Sequence, residues 1–145
     1  MQLVLDTDVL VAALRSDKGA SRQLLLAALE LRVVMLISVP LMLEYEAVLT
    51  RPEQLRGTGL TTGEVNSILD AIAAVAKPVT FRFLWRPQLE DPSDEMVLET
   101  AVNGNADYLA TFNLRHLLEP SALFGIRAAV PGQIWRKIRS SDEKK

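Results

Sequence analysis

The stretch Leu3-Val4-Leu5-Asp6, near the start of the chain, decides how the chain folds. Three consecutive apolar residues predict a short buried strand, and that strand ends at a carboxylate. Because carboxylates are rarely buried without a partner, Asp6 is expected at the edge of a sheet, where a ligand can reach it. The same arrangement returns in Tyr108-Leu109-Ala110-Thr111-Phe112-Asn113, where an apolar run ends at an amide.

Apolar runs predict five strands that alternate with helical sequence. The strands are expected at residues 3–5, 33–38, 78–81, 108–111 and 126–130. Helices are expected at residues 9–14, 21–31, 40–49, 62–76, 92–103 and 131–139, with a loop at 56–59 and a helical turn at 114–118. Strands that alternate with helices form parallel sheets with right-handed crossovers. The sequence therefore predicts a three-layer α/β/α sandwich around a central parallel sheet of about five strands.

Length and composition limit the class of protein. The 145 residues, 49% apolar and 23% charged, predict a single globular domain over residues 1–139 and a polar tail over 140–145. The absence of cysteine excludes disulfides and thiolate zinc sites, and it fits the reducing cytoplasm, which is the expected location. No apolar run reaches the roughly 18 residues of a membrane span, so no membrane association is expected. The net charge of −2 differs from that of a strongly basic nucleic-acid binder, although an acid cluster can mask basic patches.

Three further polar residues fall at the edges of predicted buried elements. Glu44 lies about one turn into the helix after the second strand, Asp94 opens the helix before the fourth strand, and Asn113 follows that strand. In an open α/β sheet, ligands bind beyond the carboxyl ends of the strands. These side chains can therefore face the same crevice as Asp6. Oxygen-only ligation suits Mg²⁺ or Mn²⁺, so the sequence predicts a site for one of these cations.

Each of these residues also has a purely structural interpretation. Asp94 would favour the dipole of its helix without any metal, and Asn113 could simply begin a turn. Asp8 and Asp91 are interpreted as helix N-caps. Three residues are accessory candidates: Ser38 and Thr111 either orient a ligand or cap a helix or turn, and Asp8 is the third. Asp107 is expected to be structural and His116 to be a surface residue. Trp85 and Trp135 are expected to be core or dimer contacts.

Four segments, in order, resemble the PIN-domain ribonucleases. They are Leu5-Asp6-Thr7-Asp8, Ser38-Val39-Pro40-Leu41-Met42-Leu43-Glu44, Asp91-Pro92-Ser93-Asp94-Glu95 and Ala106-Asp107-Tyr108-Leu109-Ala110-Thr111-Phe112-Asn113. The resemblance spans almost the whole chain and implies a metal-dependent endoribonuclease. By position, Asp6, Glu44 and Asp94 match the three acidic metal ligands of the family. The fourth catalytic position is often Asp, whereas this chain has Asn113, a neutral oxygen ligand that should weaken a second metal site.

The resemblance also implies partners. Many small bacterial members of the family, the VapC type, are the toxins of toxin–antitoxin pairs. They commonly form homodimers and are held inactive by an antitoxin. RNA is therefore the expected substrate, and an antitoxin protein and a second copy of the chain are the expected partners.

Two other readings of the sequence stay open. The opening segment also resembles haloacid-dehalogenase-type phosphatases, in which Asp6 would be the nucleophile and Asp8 the acid–base. That family needs a later lysine and a late pair of acids, but Lys77 is the only lysine between Lys18 and Lys137, and no Gly-Asp pair occurs near the end. The other reading is a catalytically weak module that binds RNA or an antitoxin, and Asn113 motivates it.

Overall fold

The chain folds around one five-stranded parallel sheet. The structure, a computed structural model, describes residues 1–82 and 91–143, so Trp85 lies outside the described residues. The strands are β1 Gln2–Leu5, β2 Val34–Ile37, β3 Lys77–Pro78, β4 Tyr108–Ala110 and β5 Arg127–Ala129. Their order is β3-β2-β1-β4-β5, and every neighbouring pair is parallel. The predicted parallel sheet is confirmed.

Helices flank this sheet, as predicted for a PIN-like α/β/α sandwich. Within the described residues they are α1 Thr7–Arg15, α2 Ala20–Leu29, α3 Val39–Leu49, α4 Pro52–Thr58, α5 Thr62–Val75, α6 Pro92–Asn103, α7 Leu114–Leu123 and α8 Pro131–Glu143. Consecutive β1 residues Leu3, Val4 and Leu5 are all fully buried, although successive side chains of a strand point to opposite faces. Both faces of the sheet are therefore covered, as parallel sheets require.

Several element boundaries differ from those predicted. Helix α4 occupies part of the predicted loop at 56–59, because Pro52 begins this helix instead of closing the one before it, and Gly59 ends it in the left-handed conformation with φ 74°. Strand β3 begins one residue earlier than predicted and is only two residues long. Helix α7 continues beyond the predicted turn to Leu123, and α8 runs to Glu143, into the stretch expected to be a polar tail.

The carboxyl ends of β1 and β4 meet at the centre of one sheet edge. Leu5 pairs with Ala110, and the backbone N–H of Asp6 donates to the Ala110 carbonyl at 2.9 Å. The backbone N–H of Thr111 in turn donates to the carbonyl of Ala129 at 3.0 Å. Asp6 and Thr111 therefore leave the sheet side by side. In the part of the chain that the structure describes, no helix is long and apolar enough to cross a membrane.

Candidate metal centre

Asp6 is fixed by donors on both of its carboxylate oxygens. It is the N-cap of α1, and its Oδ1 accepts from the backbone N–H of Thr7 at 2.8 Å. Its Oδ2 accepts from the Thr111 hydroxyl at 2.7 Å. The side chain is only 8% exposed. Two good donors hold the carboxylate in one orientation, while each oxygen keeps a further lone pair for a ligand.

Asp8 is not the N-cap of α1, and the interpretation of it as a cap is wrong. The helix begins at Thr7, earlier than predicted, so Asp6 takes the cap and Asp8 lies in the first turn. Asp8 Oδ2 accepts from the backbone N–H of Phe112 at 3.3 Å. Asp8 Oδ1 is buried and has no hydrogen-bond partner among the described residues. An unsatisfied buried carboxylate oxygen is costly, so this atom needs a partner that the described residues do not supply.

Asp94 lies in the first turn of α6 and is 6% exposed. Its Oδ2 accepts from the Asn113 side-chain amide at 3.0 Å and lies 3.8 Å from Nδ1 of His116. Asp91 caps the same helix by accepting from the Ser93 backbone N–H at 2.8 Å, which confirms its predicted role. Since Asp91 serves as the cap, Asp94 is free to face the β4 edge.

The three aspartates act on one another electrostatically. Burial, together with the negative charges of Asp8 and Asp94, raises the pKa of Asp6 from 3.8 to about 7, against the lowering effect of hydrogen bonds from Thr111 and Thr7. Burial and the charge of Asp94 also raise the pKa of Asp8. Burial raises the pKa of Asp94, while the Asn113 hydrogen bond lowers it. Carboxylates at such a spacing repel one another unless a cation or a proton joins them.

Glu44 lies at the margin of this group. It is half-buried on α3, and its Oε1 accepts from the Ser93 hydroxyl at 3.3 Å. Ser93 directly precedes Asp94, so Glu44 stands against the amino end of α6. The charges that shift the pKa of Asp6 are those of Asp8 and Asp94. The structure thus groups Asp6, Asp8, Asp94 and Asn113 together and places Glu44 beside them.

The two accessory hydroxyls have different roles. Thr111 is fully buried, donates to Asp6 and accepts from the backbone N–H of Asn113 at 2.8 Å, so it orients the acid group. Ser38 caps α3, where its oxygen accepts from the Leu41 N–H at 3.3 Å, and it also bonds the hydroxyl of Thr100 at 2.7 Å. Of the two alternatives stated for these residues, Thr111 therefore orients and Ser38 caps.

Two residues at the site were not identified from the sequence. His116 was interpreted as a surface residue; its side chain is 58% exposed, yet its Nδ1 lies 3.3 Å from the Asn113 amide nitrogen. The spacing of three residues from Asn113 was the available signal, because residues three apart share a helix face. Tyr45 is fully buried and donates its hydroxyl proton to the carbonyl of Leu5, directly before Asp6. Burial, together with the charge of Asp6, raises the pKa of this phenol.

The chemistry of the donors suits a hard divalent cation. The candidate ligands Asp6, Asp8 and Asp94 carry carboxylate oxygens, and the unpartnered Oδ1 of Asp8 is of the type that Mg²⁺ and Mn²⁺ bind. Within residues 1–82 and 91–143, no three acidic or histidine side chains already stand at the spacing of a complete metal cage. The acids are thus close enough to repel one another without forming a closed set of ligands.

The comparisons with known proteins agree with this geometry. A family model described as PIN domain matches residues 2–115, a range that contains Asp6, Glu44, Asp94 and Asn113. Neither the curated proteins nor the solved structures gave a significant match. PIN domains are generally nucleases and usually use divalent metals. Since the matched range covers most of the chain, the chain belongs to the PIN-domain family.

Proposed function

We propose that this protein is a metal-dependent endoribonuclease that hydrolyses RNA phosphodiester bonds. Asp6 and Asp94 would hold a Mg²⁺ or Mn²⁺ ion, and Glu44 would contact it directly or through water. The observation that carries the proposal is the group of buried carboxylates at the carboxyl end of β1. Among the described residues, no lysine or arginine pairs with Asp6, so none of them neutralises this charge.

We include Asp8 in the proposed ligand group. Its Oδ1 has no partner among the described residues, and the charge of Asp94 acts on its carboxylate. The Glu44 carboxylate, in contrast, accepts a hydrogen bond from the Ser93 hydroxyl. Asn113 directs its amide nitrogen at Asp94, so its contribution is to orient that carboxylate. It would then bind the metal weakly or not at all, and a single cation is the simplest occupancy.

The proposed chemistry divides between the cation and the chain. When bound, the cation would offset the charge of the phosphodiester and lower the pKa of a bound water. The chain's own residues hold the ligands still: Thr111 and the N–H of Thr7 fix Asp6, and Asn113 fixes Asp94. Such orientation by neighbouring donors is what keeps ligand carboxylates in a productive geometry.

We also propose that the protein is the toxin of a toxin–antitoxin pair in the cytoplasm, and that it forms a homodimer. The apolar side chains of Val39 and Leu43 support a protein partner, since they are 73% and 60% exposed on one face of α3, beside Glu44. Residues four apart on a helix form a continuous stripe. A second copy or an antitoxin that covered this stripe would lie next to the acid group.

A cleavage time course on single-stranded RNA tests the proposed activity. Wild type should cut in Mg²⁺ or Mn²⁺ and stop in EDTA. Asp94→Asn should cut roughly a thousandfold more slowly, because losing a ligand removes several kcal/mol of charge stabilisation. Ca²⁺ should support less cleavage than Mg²⁺, because its looser coordination positions water poorly.

Asp107→Asn, purified in the same way, is the matched control. Asp107 is an exposed carboxylate at the opposite end of the sheet, and its loss should leave cleavage intact. Undiminished cleavage by Asp94→Asn would point to a contaminating nuclease and overturn the assignment. Hydrolysis of small phosphate monoesters without RNA cleavage would favour the phosphatase reading. RNA binding without any cleavage would favour the binding module.

A further inference from the structure

The side-chain amide of Asn113 connects Asp94 to His116. Its Nδ2 lies 3.0 Å from Asp94 Oδ2 and 3.3 Å from His116 Nδ1. The amide nitrogen carries two hydrogens and accepts no hydrogen bond, so it can donate to both neighbours at once. The carboxylate can only accept, and this requirement turns the nitrogen of the amide toward Asp94.

The contact with Asn113 decides which nitrogen of His116 carries the proton. Because Nδ2 is a donor, Nδ1 of the neutral ring must be the acceptor. The ring proton then sits on Nε2. This assignment holds for the neutral ring.

The proton on Nε2 is available to a ligand. The His116 side chain is 58% exposed, while Nδ1 lies 3.8 Å from a buried carboxylate of the acid group. Nε2 makes no hydrogen bond to any group in residues 1–82 and 91–143. The ring therefore stands at the rim of the acid group with a neutral N–H donor, beside the place where an anionic strand would have to lie.

We propose that His116 is a catalytic residue that donates from Nε2–H to a non-bridging phosphate oxygen of the RNA strand. Asn113 is the positioning residue that keeps the ring proton on Nε2. The inference rests on the proposed nuclease function. It gives a reason for Asn at position 113: a carboxylate there would accept the proton of Nδ1, and Nε2 would then present a lone pair to the phosphate.

The ring tautomer can be measured without RNA or metal. The chain has a single histidine, so the imidazole nitrogen signals in a ¹⁵N NMR spectrum belong to His116 alone. At alkaline pH, where the ring is neutral, wild type should show a protonated Nε2 and an unprotonated Nδ1. Asn113→Asp should reverse the two signals. A wild-type spectrum with the proton on Nδ1, or spectra that do not change in Asn113→Asp, would overturn the role of Asn113.

Cleavage kinetics test the contact with RNA. His116→Ala should lower kcat/KM about ten- to a hundredfold, the range expected for a lost hydrogen bond to a charged group. His116→Gln keeps an N–H near the position of Nε2 and should recover most of that loss. Neither variant should change the thermal shift that Mn²⁺ produces, because the ring is not a proposed ligand. Wild-type kinetics for His116→Ala would overturn the role of His116.

The outcomes separate this inference from the proposed function. RNA cleavage that depends on Asp94 but not on His116 would refute the inference and leave the nuclease proposal intact. Wild type that cuts no RNA would refute both the nuclease proposal and the phosphate contact. A fall in kcat/KM that His116→Gln fails to recover would mean that the ring acts through its shape, and the donor role would be wrong.

Discussion

The two ends of strand β1 satisfy their polar residues in opposite ways. At the amino end, the backbone N–H of Gln2 donates to the Asp107 carboxylate at 2.8 Å. The Gln2 side chain donates to the carbonyls of Gly104 and Asn105 at 3.3 and 3.1 Å and accepts from the Lys77 ammonium at 3.1 Å. Every contact joins a donor to an acceptor, and the groups are largely exposed.

At the carboxyl end, acceptors are crowded against acceptors. Burial and the charges of Asp8 and Asp94 raise the pKa of Asp6, and burial and the charge of Asp94 raise that of Asp8. One buried oxygen of Asp8 has no partner among the described residues. The donors that reach this group are neutral hydroxyls, amides and backbone N–H groups. Three strand residues lie between Gln2, in the satisfied polar cluster, and Asp6, which pairs with no lysine or arginine of the described residues.

This difference shows how carboxylates used for folding can be told from those used for binding. Asp107 stabilises the fold because it gives a backbone N–H an acceptor. Asp6, in contrast, costs stability, since it is buried beside like charges. Perturbed carboxylates grouped at a sheet edge are typical of functional sites. Substitutions at the two ends should therefore have opposite effects on stability.

The largest contrast is expected between Asp6→Asn and Asp107→Asn without metal. The amide of Asp6→Asn removes a repelled buried charge, so this variant should be more stable than wild type by about 2 kcal/mol at neutral to alkaline pH, about half of what the full pKa shift implies. Asp107→Asn weakens a charge-assisted bond and should be less stable by up to about 1 kcal/mol. Urea denaturation in EDTA measures both changes.

The pH dependence fixes the sign of this prediction. The pKa of Asp6 is 3.8 in the unfolded chain and about 7 in the fold, so the folded state holds the proton more tightly. The protonated Asp6 side chain stabilises the fold below the unfolded pKa, and this stabilisation is lost as pH rises toward about 7. The advantage of Asp6→Asn should therefore disappear near pH ~4. If Asp6→Asn were more stable than wild type by the same amount near pH ~4 and above pH ~7, the explanation by charge repulsion would be wrong.

A smaller effect is expected from adding a charge to the carboxyl end. Asn113→Asp places a fourth carboxylate beside Asp94 and removes the amide that donates to it. The metal-free variant should be less stable than wild type by about 1 kcal/mol, and Mg²⁺ should reduce the difference because the cation is bound more tightly by the extra charge. Thermal melts with and without Mg²⁺ measure this interaction. Equal stabilisation of both proteins by Mg²⁺ would place Asn113 outside the metal centre.

Much of the fold could be predicted because its signals are local. The apolar runs that form β1, β2, β4 and β5 lie within a few residues of their expected positions, and Asp91 with Pro92 marked the start of α6. Parallel strands bring their carboxyl ends to one edge, and this rule alone predicted Asp6 and Asn113 at the same edge. The elements that were predicted incorrectly, α4 and the extension of α7, depend on how Pro52 and Pro120 are accommodated.

The site was harder to predict because its details depend on contacts between distant segments. A shift of the α1 start to Thr7 changed Asp8 from a cap into a carboxylate with an unsatisfied oxygen. The position of His116 beside Asp94 depends on how α6 and α7 pack, which no spacing in the sequence fixes. Glu44 illustrates the reverse case: its helix was predicted well, but its contact is with Ser93.

The smallest effects should separate activity from stability at the two ends. Ser93→Ala removes the hydroxyl that donates to Glu44 at 3.3 Å. This long bond between partly exposed groups contributes at most about 0.5 kcal/mol to stability, so the unfolding midpoint should hardly change. If Glu44 serves the metal centre, its freed carboxylate should spend less time in the productive orientation. Cleavage should then fall by roughly threefold.

Gln2→Ala at the amino end is the counterpart of Ser93→Ala. It removes the bonds to Gly104, Asn105 and Lys77, so stability should fall by about 0.5 to 1 kcal/mol. Cleavage should stay at the wild-type rate, because no group of the acid cluster is touched. Ser93→Ala should thus lower the cleavage rate with almost no change in a urea titration. Gln2→Ala should lower stability in the urea titration and leave the cleavage rate unchanged. A loss of activity in Gln2→Ala equal to that in Ser93→Ala would mean that stability, and not the orientation of Glu44, limits cleavage in both.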